Sequence, residues 1–203
     1  MDVVIIRFQG IMLLLLLLTL ITRSIMLCLK DGINPFVLGK GKKGFNAILE
    51  LMFLVVLLIW AYEIIAIVFR VNVHCIPIKA VYETYCKNSP LQITGALFIL
   101  SGYSVFILSL ISFGNSWRVG IDKSRPGRLA TKGIYALTRN PIFMALELYF
   151  TGTALINMNM LFIGFAVLNA LGIHYQILQE EKYLRKHYGD EYSDYKKRVR
   201  RYI

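Results

Sequence analysis

Long apolar runs separated by short charged stretches set the pattern of this chain. The first run, from about Ile11 to Leu29, contains IMLLLLLLTLIT. A second extends from about Asn46 to Phe69, and a third lies in the uncharged stretch from Asn88 to Trp117. A helix needs roughly 20 largely apolar residues to cross about 30 Å of hydrocarbon at about 1.5 Å per residue. Each run therefore predicts one spanning helix. The first lacks a small-residue cleavage site after its apolar core, so it reads as an uncleaved anchor rather than a signal peptide.

Between Arg139 and Glu180 lie 40 residues whose only charge is Glu147. That length suits two crossings, and Asn157-Met158-Asn159 in the middle is a natural polar turn. Two helices, about 141–156 and 160–178, are predicted to form a tight hairpin. The expected fold is all-α: a polytopic membrane protein with five transmembrane helices, a C-terminal helical hairpin and a cytoplasmic tail. No internal repeat or low-complexity linker divides the chain. Residues 1–203 are read as one domain, with three spans in 1–113 and a loop, hairpin and tail in 114–203.

Composition agrees. The 203 residues are 57% hydrophobic and only 17% charged, against about 25% charge in a soluble domain. Those values exclude a water-soluble globule and a disordered chain, and 3 cysteines are too few for a disulfide scaffold. The net charge of +11 sits beside and after the apolar runs, which points to membrane flanks and anionic lipid before nucleic acid. Five basic residues fall between Arg23 and Lys43, six between Trp117 and Arg139, and eight from Glu180 onward. The opposite side holds only Arg7, Arg70, Lys79 and Lys87. The bias predicts an N-terminus outside and a cytoplasmic C-terminus. Cys75 and Cys86 then share an outer loop, either as a disulfide or as two unpaired thiols, with Cys28 at the inner end of the first helix.

Two polar stretches are candidates for chemistry. The first, NSWRVGIDKSRPGRLATKGIYALTRNP from Asn115 to Pro141, is basic and carries Gly120, Gly127, Gly133 and Pro126. It cannot be helical throughout, and its glycines let backbone approach a ligand closely. Asn140 is a preferred N-cap and Pro141 suits a first turn, so the fourth helix is expected to start there. Free amides at that start, with Arg139 beside them, favour a carboxylate or phosphate. The alternative is an ordinary capped membrane helix with a snorkelling arginine.

The second stretch is HYQILQEEKYLRKHYGDEYSDYKKRVRRYI, from His174 to Ile203. Glu180 and Glu181 stand at the mouth of the last span. Asn169, Gln176 and Glu180 fall on one helical stripe, expected to face the bundle interior or a cavity. The paired glutamates read equally well as salt-bridge partners of the basic tail. His174 and His187 read as interfacial polar residues, and no Cys or His spacing resembles a zinc site. Beyond Gly189 the tail either lies on anionic headgroups or folds back over the loop to close a site. Glu63 and Glu147 interrupt apolar helices; Glu147 is placed to line the same cavity, and Glu63 is assigned no role.

The order GIY…RNP, a helical hairpin, then EE…YG-EY with the following tyrosine, valine, arginine and isoleucine, resembles the isoprenylcysteine carboxyl methyltransferase and phospholipid methyltransferase superfamily. It looks most like bacterial and archaeal members, over about Asn115 to the C-terminus. The resemblance implies a small helical bundle whose cytosolic tail folds over S-adenosylmethionine. By similarity Leu129 and Ala130 would contact the cofactor through backbone, with Tyr135 beside it. Asn140, Pro141 and Phe143 occupy the family's His-Pro-x-Tyr positions, and Glu180, with Glu181 next to it, the cofactor-binding glutamate. Asn140 replaces a histidine and Phe143 lacks a hydroxyl. Gln176 stands where the protein-methylating branch has an arginine one turn before the glutamates.

The implied chemistry is an in-line methyl transfer, which needs close positioning and exclusion of water but no metal. The candidate catalytic residues are Glu180, Gln176 and Arg139. The expected partner is a lipophilic or small membrane-accessible acceptor, a lipid amine or thiol rather than a prenylcysteine carboxylate, because Gln176 cannot neutralise a carboxylate. No nucleic acid is expected. Two other readings stand beside this one. An NADPH-dependent sterol or isoprenoid reductase would use an RHPNY-x-G-E element, but RNPIFMALE has Leu146 at that glutamate and Glu147 one residue later, about 100° around a helix. The other is a non-catalytic lipid-binding protein of the same fold.

Overall fold

The computed structural model describes residues 3–31, 45–86, 88–114 and 129–202. Five helices follow one another: α1 (Val3–Asp31), α2 (Phe45–Phe69), α3 (Ser89–Phe113), α4 (Pro141–Asn157) and α5 (Met160–Arg198). Among the described residues the only other regular elements are short 3-10 turns, including Gly133–Ala136, and two isolated bridges.

Local chemistry sets the boundaries. Pro90 lies in the first turn of α3, where a missing N–H costs nothing, and Gly114 ends it at φ +56, a left-handed conformation that glycine tolerates. Pro141 opens α4. The hairpin turn falls on the expected residues: Met158 adopts the left-handed region (φ 44), and the Asn159 side chain accepts a hydrogen bond from Phe162 N as the N-cap of α5.

Four helices are long and apolar enough to cross a membrane: α1, residues 51–69 of α2, α3 and α5. At 17 residues α4 is shorter, about 25 Å, and it is drawn into the interior against α3. The contact is a meeting of small residues. A Cβ placed on Gly152 would lie 2.6 Å from the Gly95 carbonyl oxygen, and one on Gly102 would lie 2.8 Å from that of Ala145. Around this seam Trp60 of α2 stacks on Phe150 at 4.4 Å, meets Tyr149 edge-on at 5.5 Å, and donates to Thr153 Oγ1 at 3.1 Å.

The last helix departs from expectation. It was expected to stop near residue 178, yet it runs 39 residues to Arg198 with a non-helical Gly189 (φ 54) inside it. The stretch before that kink, 160–188, is by itself about 43 Å long, more than the hydrocarbon thickness of about 30 Å, so the charged part after about residue 178 projects beyond the membrane. Gln, Glu, Lys, Leu and Arg are good helix formers, which is why loss of hydrophobicity does not end the helix.

Contacts sort the helix ends into two sets. At one end Asn157 Nδ2 donates to Gln9 Oε1 (3.0 Å) and Tyr85 N donates to the Met158 carbonyl (2.8 Å). At the other, the Arg23 guanidinium donates to the Gly114 carbonyl, and Ile134 N to Ser112 Oγ. The N-terminus of α1, the 70–88 loop and the hairpin turn therefore share one end, and the α4 start and the tail share the other. Segments 32–44 and 115–128, which hold much of the predicted cytoplasmic charge, lie outside the described residues.

Glu63, which had no sequence role, is fully buried and ties that first loop down. It accepts from Cys75 N (2.9 Å) and the Tyr82 hydroxyl (3.1 Å) and pairs with His74 Nδ1 (2.9 Å). Burial, with the Glu63 charge adding, pushes the Tyr82 hydroxyl up to about 12. Cys75 and Cys86 are both free, exposed thiols, so the disulfide alternative is not formed.

Candidate functional site

The start of α4 is where the two polar stretches of sequence meet. Asn140 is the N-cap residue, but its side chain makes no capping bond. Its Nδ2 instead donates to the Arg201 carbonyl at 3.2 Å, and Thr138 Oγ1 donates to the same oxygen at 3.1 Å. Arg139 N donates to the Arg200 carbonyl at 3.0 Å. Residues 199–202 thus form a strap laid across the entry to α4, joined to it by an isolated parallel bridge between Thr138 and Arg200 and held by backbone and side chain alike.

A charge triad locks the strap to α5. Glu181 Oε1 accepts from Arg139 Nη2 (2.8 Å) and Arg201 Nε (3.1 Å), and Oε2 accepts from Arg201 Nη2 (2.8 Å). The side chains of Arg139 and Glu181 are 6% and 8% exposed, so this pair is largely desolvated. Burial alone would raise the Glu181 pKa. The Arg201 hydrogen bonds and the charges of Arg139, Arg201 and Lys196 outweigh it and hold the carboxyl below its ordinary value of 4.5.

The segment after Gly189 lies over the loop. Tyr195 donates to the Tyr135 carbonyl at 2.6 Å, and Arg139 Nη1 donates to the Lys196 carbonyl at 3.2 Å. Tyr135 is buried, its ring edge-on to Phe113 at 5.3 Å. Burial pushes its hydroxyl up, and the Glu180 charge adds to the rise, so Glu180 stands within electrostatic reach of Tyr135. Burial likewise pushes the Tyr195 hydroxyl up to about 12, with Arg139 acting the other way.

The remaining sequence candidates distribute as follows. Pro141 is buried, and Leu129, Ala130, Phe143, Gln176 and Glu180 are half-buried. Asn169 is 1% exposed with both amide atoms lacking partners. The fully buried line of α5 is Asn169, Ile173, Ile177 and Glu181, so Gln176 and Glu180 flank it. Arg139 Nε and the Tyr192 hydroxyl are also buried without a hydrogen-bond partner. Sequence reading missed Arg201, Tyr195 and Tyr192. A basic, tyrosine-rich tail looks the same whether it faces headgroups or a buried carboxylate, and only the tail's charge hinted at a partner for Glu181.

The fold and site define a helical membrane protein whose C-terminal strap closes over the base of its fourth helix. The phospholipid methyltransferase family model matches residues 91–191, from α3 to just beyond the kink in α5. The chain belongs to the isoprenylcysteine and phospholipid methyltransferase superfamily. No curated protein and no solved structure matches it significantly.

Proposed function

We propose that this protein transfers a methyl group from S-adenosylmethionine to a lipophilic or small acceptor reached from the membrane. The observation that carries the reading is the cluster at the start of α4, where Arg139 pairs with Glu181, Asn140 holds the Arg201 carbonyl and Tyr195 holds the Tyr135 carbonyl, with Tyr135, Arg139, Asn140 and Glu181 all inside the methyltransferase-matched stretch.

The residues present suit the cofactor. Arg139 Nε and the Tyr192 hydroxyl are buried polar groups still lacking partners, which suits a carboxylate or hydroxyl. Half-buried Glu180, close to Tyr135, suits an ammonium or ribose hydroxyls. Leu129 and Ala130 are assigned backbone contacts to the cofactor, as the family resemblance implies. When bound, the cofactor supplies an electrophilic methyl carbon on a cationic sulfur. The protein holds the acceptor in line and keeps water out. The acceptor's proton leaves to water or to Glu180. Gln176, one turn earlier, can donate a hydrogen bond but cannot neutralise a carboxylate, which favours an acceptor uncharged or cationic at its reacting atom.

Two measurements test this. Labelled S-adenosylmethionine should bind the purified chain and NADPH should not; the reverse result would support the reductase. Glu180→Ala should weaken cofactor binding roughly 10- to 150-fold, the loss of about 1.5–3 kcal/mol from one charged contact in a water-poor site. Wild-type affinity in that variant removes Glu180 from the site.

The basic asymmetry of nineteen to four orients this end toward the cytoplasm. In a background with the native cysteines replaced by serine, Lys123→Cys and Ala80→Cys should label from opposite faces of the membrane. Labelling from one face rejects the topology.

A further inference from the structure

A cavity of about 320 Å³ lies between α1 and α3, apart from the cluster at the start of α4. Thr22 and Arg23 line its inner end, Leu15 and Leu18 line it deeper along α1, and the buried Leu110 of α3 forms its floor. That volume is at the lower end of ligand clefts, about 300–1,000 Å³. From Leu15 to Met26 the groove follows α1 for about 16 Å. Leu15, Leu18 and Met26 are exposed, so it opens toward lipid rather than into the bundle.

Two polar contacts join the helices along this groove. Thr19 Oγ1 donates to the Leu15 carbonyl at 2.8 Å and lies 3.0 Å from the Tyr103 hydroxyl. The Arg23 guanidinium donates to the Gly114 carbonyl. On α1 the contacts start about 6 Å apart, from Thr19 to Arg23, but on α3 they end about 16 Å apart, from Tyr103 to Gly114. Arg23 therefore stretches along the groove toward the inner end of α3.

Its charge is poorly met there. Among the described residues the guanidinium has one neutral carbonyl as partner, and Nε is buried with none. An arginine that only snorkels keeps its donors in water. This one is half-buried and pinned against an apolar wall, where the Thr19 hydroxyl is already engaged. A cation so placed at the edge of the hydrocarbon favours an anion whose oxygens match its forked donors, as a phosphate does. Basic residues are concentrated toward this end of the molecule, where anionic headgroups gather.

We propose that the α1–α3 groove binds an anionic phospholipid, with its phosphate on Arg23 and part of one acyl chain along Leu15, Leu18 and Leu110. Thr22, exposed beside Arg23, adds a hydroxyl near the headgroup. A lipid held there would tie α1 to the end of α3, against which the 133–136 turn rests through Ser112 and Phe113. The groove shares no residue with the Tyr135, Arg139 and Glu181 cluster, so the site does not depend on the methyl-transfer reading. Phosphatidylglycerol bound there has no amine to methylate.

The test uses the full chain in phosphatidylcholine nanodiscs doped with phosphatidylglycerol or phosphatidylcholine carrying the same photoactivatable acyl chain. Phosphatidylglycerol should label the peptides carrying residues 15–26 and 110 at least about fivefold more than phosphatidylcholine, whose choline offsets the phosphate charge. Arg23→Gln should bring that ratio to about one. Equal labelling by the two lipids in wild type, adducts concentrated on other helices, or a preference that survives Arg23→Gln overturns the proposal. Should Arg23→Gln fail to fold, Leu18→Trp decides. It fills the groove from an exposed wall, and phosphatidylglycerol labelling that persists unchanged in it overturns the proposal. Unlabelled phosphatidylglycerol should compete, whereas competition by soluble glycerol phosphate alone would mark a free-phosphate site and overturn the lipid assignment.

Discussion

Glu181→Ala should detach the C-terminal strap and destabilise the protein by about 3–5 kcal/mol, the usual cost of leaving a buried charge without its partner. The value is expected near the lower end, because Arg201 is 31% exposed at its side chain and can turn to solvent, whereas Arg139 at 6% cannot. Arg139 would keep its bond to the Lys196 carbonyl but lose its only counter-charge among the described residues. Denaturant titration in detergent would give the stability, and limited proteolysis would report release of residues 199–202. Glu181→Gln keeps the shape without the charge and should fall between alanine and wild type. If Glu181→Ala unfolds within about 1 kcal/mol of wild type and the tail stays protected, the triad does not hold the strap.

The same triad predicts a pH dependence. Glu181 is held below its ordinary value of 4.5 in the folded protein. Its contribution is therefore fully present above that ordinary value and is lost as pH falls through the lower folded value. Wild type should lose more stability on acidification than Glu181→Ala does.

Gly152→Leu should separate α3 from α4 and cost about 3 kcal/mol or more, at the upper end of overpacking effects because backbone must move. A Cβ at this position would meet the Gly95 carbonyl oxygen at 2.6 Å, Ile99 Cγ1 at 2.7 Å and Ile99 N at 3.0 Å. The side chain of Ile99 has little room to yield, being fully buried itself. Gly164 provides the control. A Cβ there meets nothing within 4 Å, so Gly164→Ala should be neutral or slightly stabilising through helix propensity, by about 0.5–1 kcal/mol. Equal effects of the two substitutions would mean that the α3–α4 contact contributes little.

The five helices and the hairpin turn were legible from sequence because long apolar runs bounded by polar residues mark each element, although among the described residues four of the helices, not α4, are long and apolar enough to cross a membrane. A 40-residue stretch with one charge has to turn, and Asn157-Met158-Asn159 is where polar groups allow it. Legibility ended where that constraint ended. Past residue 178 no membrane sets a length, and helix-forming residues carried α5 on to Arg198.

At the site, the sequence determined which residue types were available: an Asn-Pro helix start beside an arginine, adjacent glutamates, and a basic tail. Tertiary structure decided how they were spent. Asn140 binds the strap rather than its own helix, and Glu181 rather than Glu180 receives the two arginines. Neighbouring residues on a helix point about 100° apart, so the partner of each glutamate depends on the rotation of α5 against α4. That rotation is set by packing along the whole hairpin, including the close contact of Gly152 with Gly95 far from the triad. Local sequence fixes neither that rotation nor the path of a tail that returns 60 residues later to the start of α4, as Tyr195 does to Tyr135. Such contacts have no periodicity of their own; they exist only once the helices have packed.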